Sequence, residues 1–261
     1  MKPMRILIVP SWYPTTSRSI NGIFIREQAD ALSALHEVRM LFLDVLPRHT
    51  KRKAKHEVSR SRGYPEELIE VPNIRFVWQF VYLMYMARAL WRLRRTFDPD
   101  IVHTHIAIPA GWGAVMLRRL VGKPIVLTEN SSEFDSWLKR PGLRWMANRS
   151  FSGADLVIAV SEGQRQRIET TFGRKKGLVI VPNIVNVERF TTSPLPNTHD
   201  GYRLLFVGLM DTDQKGVHVL LDALATIVSQ SRLSAPLHVD IIGGGSLQPA
   251  YEAQAKRLNI E

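Results

Sequence analysis

The chain has 261 residues, 45% of them hydrophobic and 23% charged, which favours a globular protein of one large or two modest domains. Its formal net charge of +11 points to an anionic partner, namely nucleic acid, an acidic membrane surface or a phosphorylated substrate. It has no cysteine, which excludes disulfides, thiolate metal sites and cysteine nucleophiles.

The first two thirds of the chain alternate short apolar runs with longer helical patterns. After a polar loop, residues 22–35 predict a helix. Buried strands are predicted at residues 5–9, 38–43, 101–105, 124–128, 156–160 and 179–181. Apolar strands separated by helices form a parallel sheet covered on both faces, which is the doubly wound α/β class. Such sheets bind ligands at the carboxyl ends of their strands.

Two basic segments offer a surface for an anionic partner. Residues 49–62 either bind acidic lipid headgroups or form a solvated loop. Residues 76–95 predict an aromatic, arginine-rich helix, which we interpret as a core helix with one edge touching a membrane. No run reaches the roughly 20 apolar residues that span a bilayer, and no secretory signal or nucleic-acid motif is visible. We therefore expect a cytoplasmic protein, peripheral on the inner face of the membrane.

Polar residues follow several predicted strands. Asn21 and Gly22 begin the first helix, where they either bring backbone N–H groups to a ligand or form a plain cap. His103 and His105 end a strand, and we expect them to face opposite ways, which argues against a shared metal site. Residues 128–134 follow the next strand, where polar side chains are placed to hydrogen-bond a sugar.

The alternating pattern restarts after residues 191–201, a stretch rich in turn formers that predicts a linker. One βαβα unit follows, with strands at 204–207 and 237–242, helices at 216–229 and 248–258, and a glycine turn at 243–245. A segment of about 60 residues buries little surface of its own. We therefore expect this second domain to be incomplete.

Lys215 is the strongest single candidate for a binding residue. An apolar strand stops at the turn of Gly208, the lysine follows, and a helix begins. A helix N-terminus presents free N–H groups and partial positive charge, and a lysine adds a full charge beside it. The pattern therefore predicts a phosphate site, although taken alone a surface lysine in a turn is about as common.

Taken together, these segments resemble glycosyltransferase family 4, the retaining nucleotide-sugar transferases of the two-domain GT-B fold. The resemblance runs from Arg5 to the last residues and depends on the order and spacing of its motifs. The motifs are Ser-Trp-Tyr-Pro (11–14), Asn-Gly-Ile-Phe (21–24), Glu-Gln-Ala (27–29), Asp-Pro-Asp-Ile-Val-His-Thr-His (98–105), Val-Leu-Thr-Glu-Asn-Ser-Ser-Glu-Phe (126–134), Ala-Asp-Leu-Val-Ile-Ala-Val-Ser (154–161), Val-Pro-Asn-Ile-Val-Asn-Val-Glu-Arg-Phe (181–190), Phe-Val-Gly (206–208), Lys-Gly (215–216) and Ile-Ile-Gly-Gly-Gly (241–245).

The resemblance implies two Rossmann-type domains: an acceptor-side domain over residues 1–190, a linker over 191–201, and part of a nucleotide-sugar-binding domain over 202–261. It implies catalytic roles for Lys215, paired with the departing diphosphate, and Asn130, beside the sugar. The residues implied to bind the donor are Asn21, Gly22, Gly208, Lys215, Gly243, Gly244 and Gly245.

The implied reaction transfers a sugar from a nucleotide-sugar donor to a sugar or lipid-linked acceptor in polysaccharide or glycolipid assembly. It needs no metal, no cofactor and no nucleic acid. Three departures matter: Leu209 replaces a frequent arginine, Asn130 replaces a histidine that many members carry, and the later glutamate motif would fall after Glu261. The alternative is therefore a catalytically inactive fragment or pseudoenzyme that binds acceptor or membrane, and we expect little transfer by this chain alone.

Overall fold

A computed structural model describes residues 2–16, 18–48, 50, 54–131, 134–190, 201–230 and 233–261. The chain divides into two units, Met1–Arg189 (unit 1) and Phe190–Glu261 (unit 2). Residues 191–200 of the predicted linker lie outside the described residues.

Unit 1 is built on an eight-stranded sheet with the order β3-β4-β2-β1-β5-β6-β7-β8. All neighbouring strands run parallel except the pair β3 and β4. The strands are β1 Arg5–Pro10, β2 Glu37–Val45, β3 His56–Ser59, β4 Glu66–Val71, β5 Ile101–His105, β6 Ile125–Glu129, β7 Leu156–Ala159 and β8 Leu178–Ile180. Strand order reverses between β1 and β5, so the predicted doubly wound α/β class is confirmed and its switch point lies there.

Helices cover both faces of this sheet. Alternation along β1 separates the two faces, because Ile8 joins the cluster that includes Ile25 of α1, whereas Leu7 and Val9 join the cluster that includes α2. The helices of unit 1 are α1 Ile23–Ser33, α2 Trp78–Leu93, α3 Trp112–Met116, α4 Arg118–Val121, α5 Phe134–Leu138, α6 Pro141–Gly153 and α7 Glu162–Phe172.

The edge of the sheet at β3 and β4 was not predicted from the sequence. β3 lies within residues 49–62, of which 49 and 51–53 are outside the described residues. β4 carries three glutamates, so it lacks the apolar run that marks the central strands. One of them, Glu67, is buried and accepts hydrogen bonds from Arg92 of α2 and His56 of β3, which offsets the cost of burying its charge.

Helix α2 packs one face into the core, in line with the preferred interpretation of its sequence. Its buried residues are Tyr82, Met86, Ala89, Leu90 and Leu93. Among the helices that the structure describes, none is long and apolar enough to cross a membrane.

Unit 2 contains a two-stranded parallel sheet, β9 Tyr202–Val207 and β10 Leu237–Ile242, with helices α8 Val217–Ser229 and α9 Gln248–Arg257. Its core consists of Met210, Val217, Leu221 and Tyr251, with partly buried residues such as Phe206 around them. Leu205, Val207 and Ile242 are exposed on the strands. The predicted βαβα order is therefore present, although its core is small.

The contact between α2 and α3 in unit 1 depends on a glycine. A Cβ on Gly113 would lie 2.6 Å from Met86 Sδ and 2.9 Å from Tyr82 Cε1, both in fully buried side chains. We expect Gly113→Ala to lower the free energy of unfolding by about 1–3 kcal/mol through overpacking. All six tryptophans lie in unit 1, so urea unfolding followed by tryptophan fluorescence measures this unit.

Gly142→Ala is the matched control for this prediction. Gly142 lies in α6, and a Cβ there would have no atom within 4 Å. Because alanine favours helix over glycine, this variant should be neutral or slightly more stable. Equal stability of the two variants would contradict the assigned helix contact.

Candidate functional site

The loop after β1 folds back onto the start of α1 at Gly22. Gly22 has φ of 71°, and a Cβ there would lie 2.5 Å from the carbonyl oxygen of Trp12. The N–H of Asn21 donates to the carbonyl of Arg18 at 3.3 Å. Gly22 therefore allows two backbone segments to touch at the carboxyl end of β1. Its role beside a donor, like that of Asn21, stays a prediction.

Ser11 joins the carboxyl ends of β1 and β5, at the switch point of the sheet. Its hydroxyl donates to the carbonyl of Ile106 at 3.2 Å and accepts from the N–H of Ala110 at 3.0 Å. Its own N–H donates to the carbonyl of His105 at 3.0 Å. These three bonds fix the edge of the sheet where ligands of doubly wound proteins bind.

The expectation that His103 and His105 face opposite ways is wrong. Their ring centroids lie 4.4 Å apart, because residues two apart in a strand share one face. Burial lowers the pKa of His103 to about 4. Burial, and then the neighbouring His103, lowers the pKa of His105 well below its ordinary value. Both rings are therefore uncharged at neutral pH.

Asn130 lies directly after β6 and is held by two distant side chains. Its amide nitrogen donates to Asn183 Oδ1 at 2.7 Å, and its Oδ1 lies 3.5 Å from His105 Nδ1. The Nε2 atom of His105 is buried and has no hydrogen-bond partner among the described residues. The site thus contains three neutral polar side chains drawn from β5, β6 and the segment after β8.

Glu129 is a buried carboxyl that fixes the loop bearing Asn130. It accepts hydrogen bonds from the N–H groups of Ala107 at 2.9 Å and Ser131 at 2.7 Å. Burial raises the pKa of Glu129 to about 7, although these N–H donors act in the opposite direction. Residues 132 and 133, including the Glu133 of the sequence motif, lie outside the described residues.

In unit 2, the loops after β9 and β10 touch through their glycines. Gly243 has φ of 148°, and a Cβ there would lie 1.8 Å from the carbonyl oxygen of Gly208. Gly245 has φ of 155°, and its Cβ would lie 2.3 Å from the carbonyl carbon of Met210. Gly244 differs, since a Cβ there would meet only Gln248 Oε1, at 3.6 Å. The three glycines that the sequence groups in one turn therefore differ, because only Gly243 and Gly245 lie against another backbone segment.

Lys215 lies beside these paired loops. A Cβ on Gly208 would lie 3.5 Å from Lys215 Cγ, so the lysine stem lies against the glycine turn. Gly216, with φ of 75°, then begins α8, whose first turn has no acidic residue. Lys215 is exposed and makes no ion pair with any carboxylate in the described ranges. Leu209, at the position of the missing arginine, is exposed as well.

Sequence reasoning assigned no role to Asn183, Ser11 or Glu129. Asn183 lies 53 residues from Asn130, and no local spacing indicates that the two side chains touch. Within the part of the chain that the structure describes, no group of three His, Asp or Glu side chains is placed to hold a metal ion. Whether the reaction uses a metal or cofactor stays a prediction.

Both units are built on parallel strands, and in both a loop after a strand is held against a glycine. Residues 22–189 match the family model described as Glycosyltransferase Family 4. The chain belongs to that family. The predicted resemblance is therefore confirmed.

Individual relatives support the same assignment. An uncharacterized glycosyltransferase of Methanocaldococcus jannaschii is 27% identical over 192 residues, which cover 73% of this chain and 50% of the relative. Among solved structures, the apo lipopolysaccharide outer core galactosyltransferase WaaB has a TM-score of 0.62 at 19% identity, with 99% of this chain and 66% of that one covered. HepE from Anabaena, in complex with UDP and glucose, has a TM-score of 0.66 at 17% identity, with 99% and 67% covered. The chain spans about half the length of the curated relatives it matches.

The unequal contacts of the glycine turn can be tested directly. Gly243→Ala requires the backbones of Gly208 and Gly243 to separate, so we expect unit 2 to lose about 1–3 kcal/mol of stability. Gly244→Ala should change it little. Hydrogen exchange of the β9 and β10 amides measures the difference, because unit 2 has no tryptophan. If the two alanines accelerate exchange equally, the assigned backbone contact is wrong.

Glu129 makes the stability of unit 1 depend on pH. Its folded-state pKa of about 7 exceeds the ordinary 4.5, so its stabilising contribution is complete below pH 4.5 and is lost as pH rises through 7. The loss is on the order of 3 kcal/mol. We expect Glu129→Gln to flatten the pH profile of urea unfolding, followed by tryptophan fluorescence.

Glu37→Gln, at an exposed position at the start of β2, serves as the control and should keep the wild-type slope. If Glu129→Gln and wild type give parallel profiles between pH 4.5 and 7, Glu129 does not titrate there.

Proposed function

We propose that the two units belong to an enzyme that transfers a glycosyl group from a nucleotide-sugar donor to an acceptor hydroxyl, with retention, in polysaccharide or glycolipid assembly. Membership of glycosyltransferase family 4 supports the class of reaction. The observation that carries the proposal is in unit 2, where the turns at Gly208 and Gly243 touch and the stem of Lys215 lies against them. This is an anion site formed by glycine backbone, a helix N-terminus and one lysine.

The proposed role of Lys215 follows from the charge that the reaction creates. When the bond between the sugar C1 and the diphosphate oxygen breaks, the electron pair stays on the diphosphate. A fixed ammonium group and the N–H groups at the start of α8 stabilise that charge. The acceptor oxygen forms the new bond to C1, and its proton passes to the departing phosphate oxygen. An amide such as Asn130 is not basic, so its proposed role is to hydrogen-bond the sugar.

The donor and acceptor are proposed from chemistry and from the relatives. HepE is described in complex with UDP and glucose, which makes a UDP-sugar the first donor to test. The net charge of +11 suits an anionic, lipid-linked acceptor bound by unit 1. Such an acceptor would bring this chain to a membrane surface as a peripheral, cytoplasmic protein.

The alternative is a catalytically inactive chain that binds acceptor or membrane. One observation favours it: Leu209, apolar and exposed, occupies the place of an arginine that would contact the diphosphate. Incubation with UDP-glucose and a lipid-linked acceptor separates the two proposals. UDP release with α-configured product by NMR supports retaining transfer; binding of UDP without turnover supports the alternative.

The Lys215 proposal predicts a loss of nucleotide affinity. A charge-assisted hydrogen bond is worth about 1.5–3 kcal/mol, so Lys215→Ala should weaken UDP binding roughly tenfold to a hundredfold. Lys215→Arg keeps the charge and should lose less. Calorimetric titration of UDP into each variant measures the effect.

Lys256→Ala is the matched control in the same unit. Its ammonium lies 3.7 Å from Glu261 in a surface ion pair, which contributes little. We expect its UDP affinity to equal that of wild type. Equal affinity of wild type and Lys215→Ala would refute the diphosphate role of Lys215.

A further inference from the structure

Helix α2 is apolar on two faces, and only one of them is covered. Opposite the buried face, Phe80 is 73% exposed, Met84 60% and Trp91 55%. Their spacing of four and seven residues places them in one row along the helix. Phe76, just before α2, is 77% exposed as well. We call these four residues the outer face of α2.

The exposed ring of Phe76 is carried by a strained backbone. Phe76 has φ of 67°, a left-handed conformation that is rare for a bulky residue. Arg75 stacks on its ring, with the guanidinium carbon 4.6 Å from the ring centroid. Strained residues of this kind are found where a surrounding structure or a function requires them.

Arginines border the outer face. Arg95 stacks on Trp91, with its guanidinium carbon 4.0 Å from the ring centroid. Arg88 is exposed and lies four residues after Met84, one helix turn further along. Residues 72–97 contain five arginines and no aspartate or glutamate. Arg92 binds Glu67, whereas Arg75, Arg88 and Arg95 pair with no carboxylate among the residues described.

We propose that the outer face of α2 docks onto an anionic phospholipid membrane. Aromatic rings and a methionine suit the interfacial region of a bilayer, and arginines beside them bind phosphate headgroups. α2 begins after the carboxyl end of β4 and leads back to β5, so Phe76 and Phe80 lie toward the sheet edge that bears the candidate site. Docking would bring that edge to the membrane surface.

A membrane fits this face better than a second copy of the chain. Two such faces packed together would place unpaired arginines of like charge against each other, which is unfavourable. A membrane with acidic lipids supplies the opposite charge over the whole row. Membrane docking rests on the proposed function only in that it would place the glycosyltransferase at a membrane. Because vesicle binding is measured without nucleotide sugar, its result does not depend on whether sugar is transferred.

The test is co-sedimentation of the full chain with vesicles of phosphatidylcholine alone and with one quarter phosphatidylglycerol. We expect binding to the anionic vesicles that weakens with salt. Phe80→Ser, Met84→Ser and Trp91→Ser combined should lower the partition coefficient about tenfold or more, since each buried apolar side chain contributes to it. Arg88→Glu with Arg95→Glu should lower it by a similar factor on anionic vesicles only.

The controls change exposed apolar and arginine residues outside α2. Leu35→Ser, Met116→Ser and Trp145→Ser combined match the apolar variant, and Arg119→Glu with Arg257→Glu matches the charge variant. Both controls should bind vesicles more tightly than the matching variants. Unfolding curves of all four should agree, because the substituted side chains are exposed.

Three results would overturn the proposal. If wild type does not bind anionic vesicles, the chain has no surface that docks onto such a membrane. If the apolar variant binds vesicles as tightly as its control, the outer face of α2 is not the docking surface. A wild type that sediments as a dimer, and becomes monomeric when the outer face is changed, would show that a second copy covers α2 instead.

Discussion

In each unit a glycine backbone lies directly against the loop that follows the first strand. Gly22 touches Trp12 in unit 1, and Gly243 touches Gly208 in unit 2. Any Cβ at either glycine would overlap a backbone atom that cannot rotate away, so these contacts fix where each loop can lie. The position of Lys215 depends on the second contact, because its stem lies on Gly208. Backbone approach at a glycine therefore helps to position the loop after the first strand in each unit, and in unit 1 the side chains of Ser11 and Glu129 add hydrogen bonds that fix the site.

The two units differ in the charge they offer to a ligand. At the edge of unit 1, burial keeps His103 and His105 uncharged, and it brings the pKa of Glu129 to about 7. The uncharged imidazoles and the amides of this edge suit neutral hydroxyl groups, whereas Glu129 is partly ionised at neutral pH. Lys215 in unit 2 is a full positive charge at an exposed position. Neutral hydroxyl groups suit the first environment, and a phosphate suits the second.

The central strands could be predicted because a buried parallel strand needs a continuous apolar run, as in β1. β4 could not, because it contains three glutamates and the partner of its buried Glu67, Arg92, lies 25 residues away. The contact of Asn130 with Asn183 is equally non-local. Strand alternation itself places His103 and His105 on one face, as their ring distance shows. The unequal roles of Gly243 and Gly244 depend on which atoms each one approaches in the folded chain. Three consecutive glycines in the sequence do not reveal this difference.

The sequence of α2 shows why an apolar pattern alone does not separate core from surface. Both its faces carry large apolar side chains, so periodicity predicts a helix without saying which face is covered. The arginines resolve the ambiguity once their partners are known. Arg92 forms an ion pair with Glu67 within unit 1. Arg88 and Arg95 have no carboxylate partner among the described residues. An exposed apolar row is unfavourable in water, and the arginines beside it favour an anionic partner; the surface of an acidic bilayer offers both an apolar layer and negative charge.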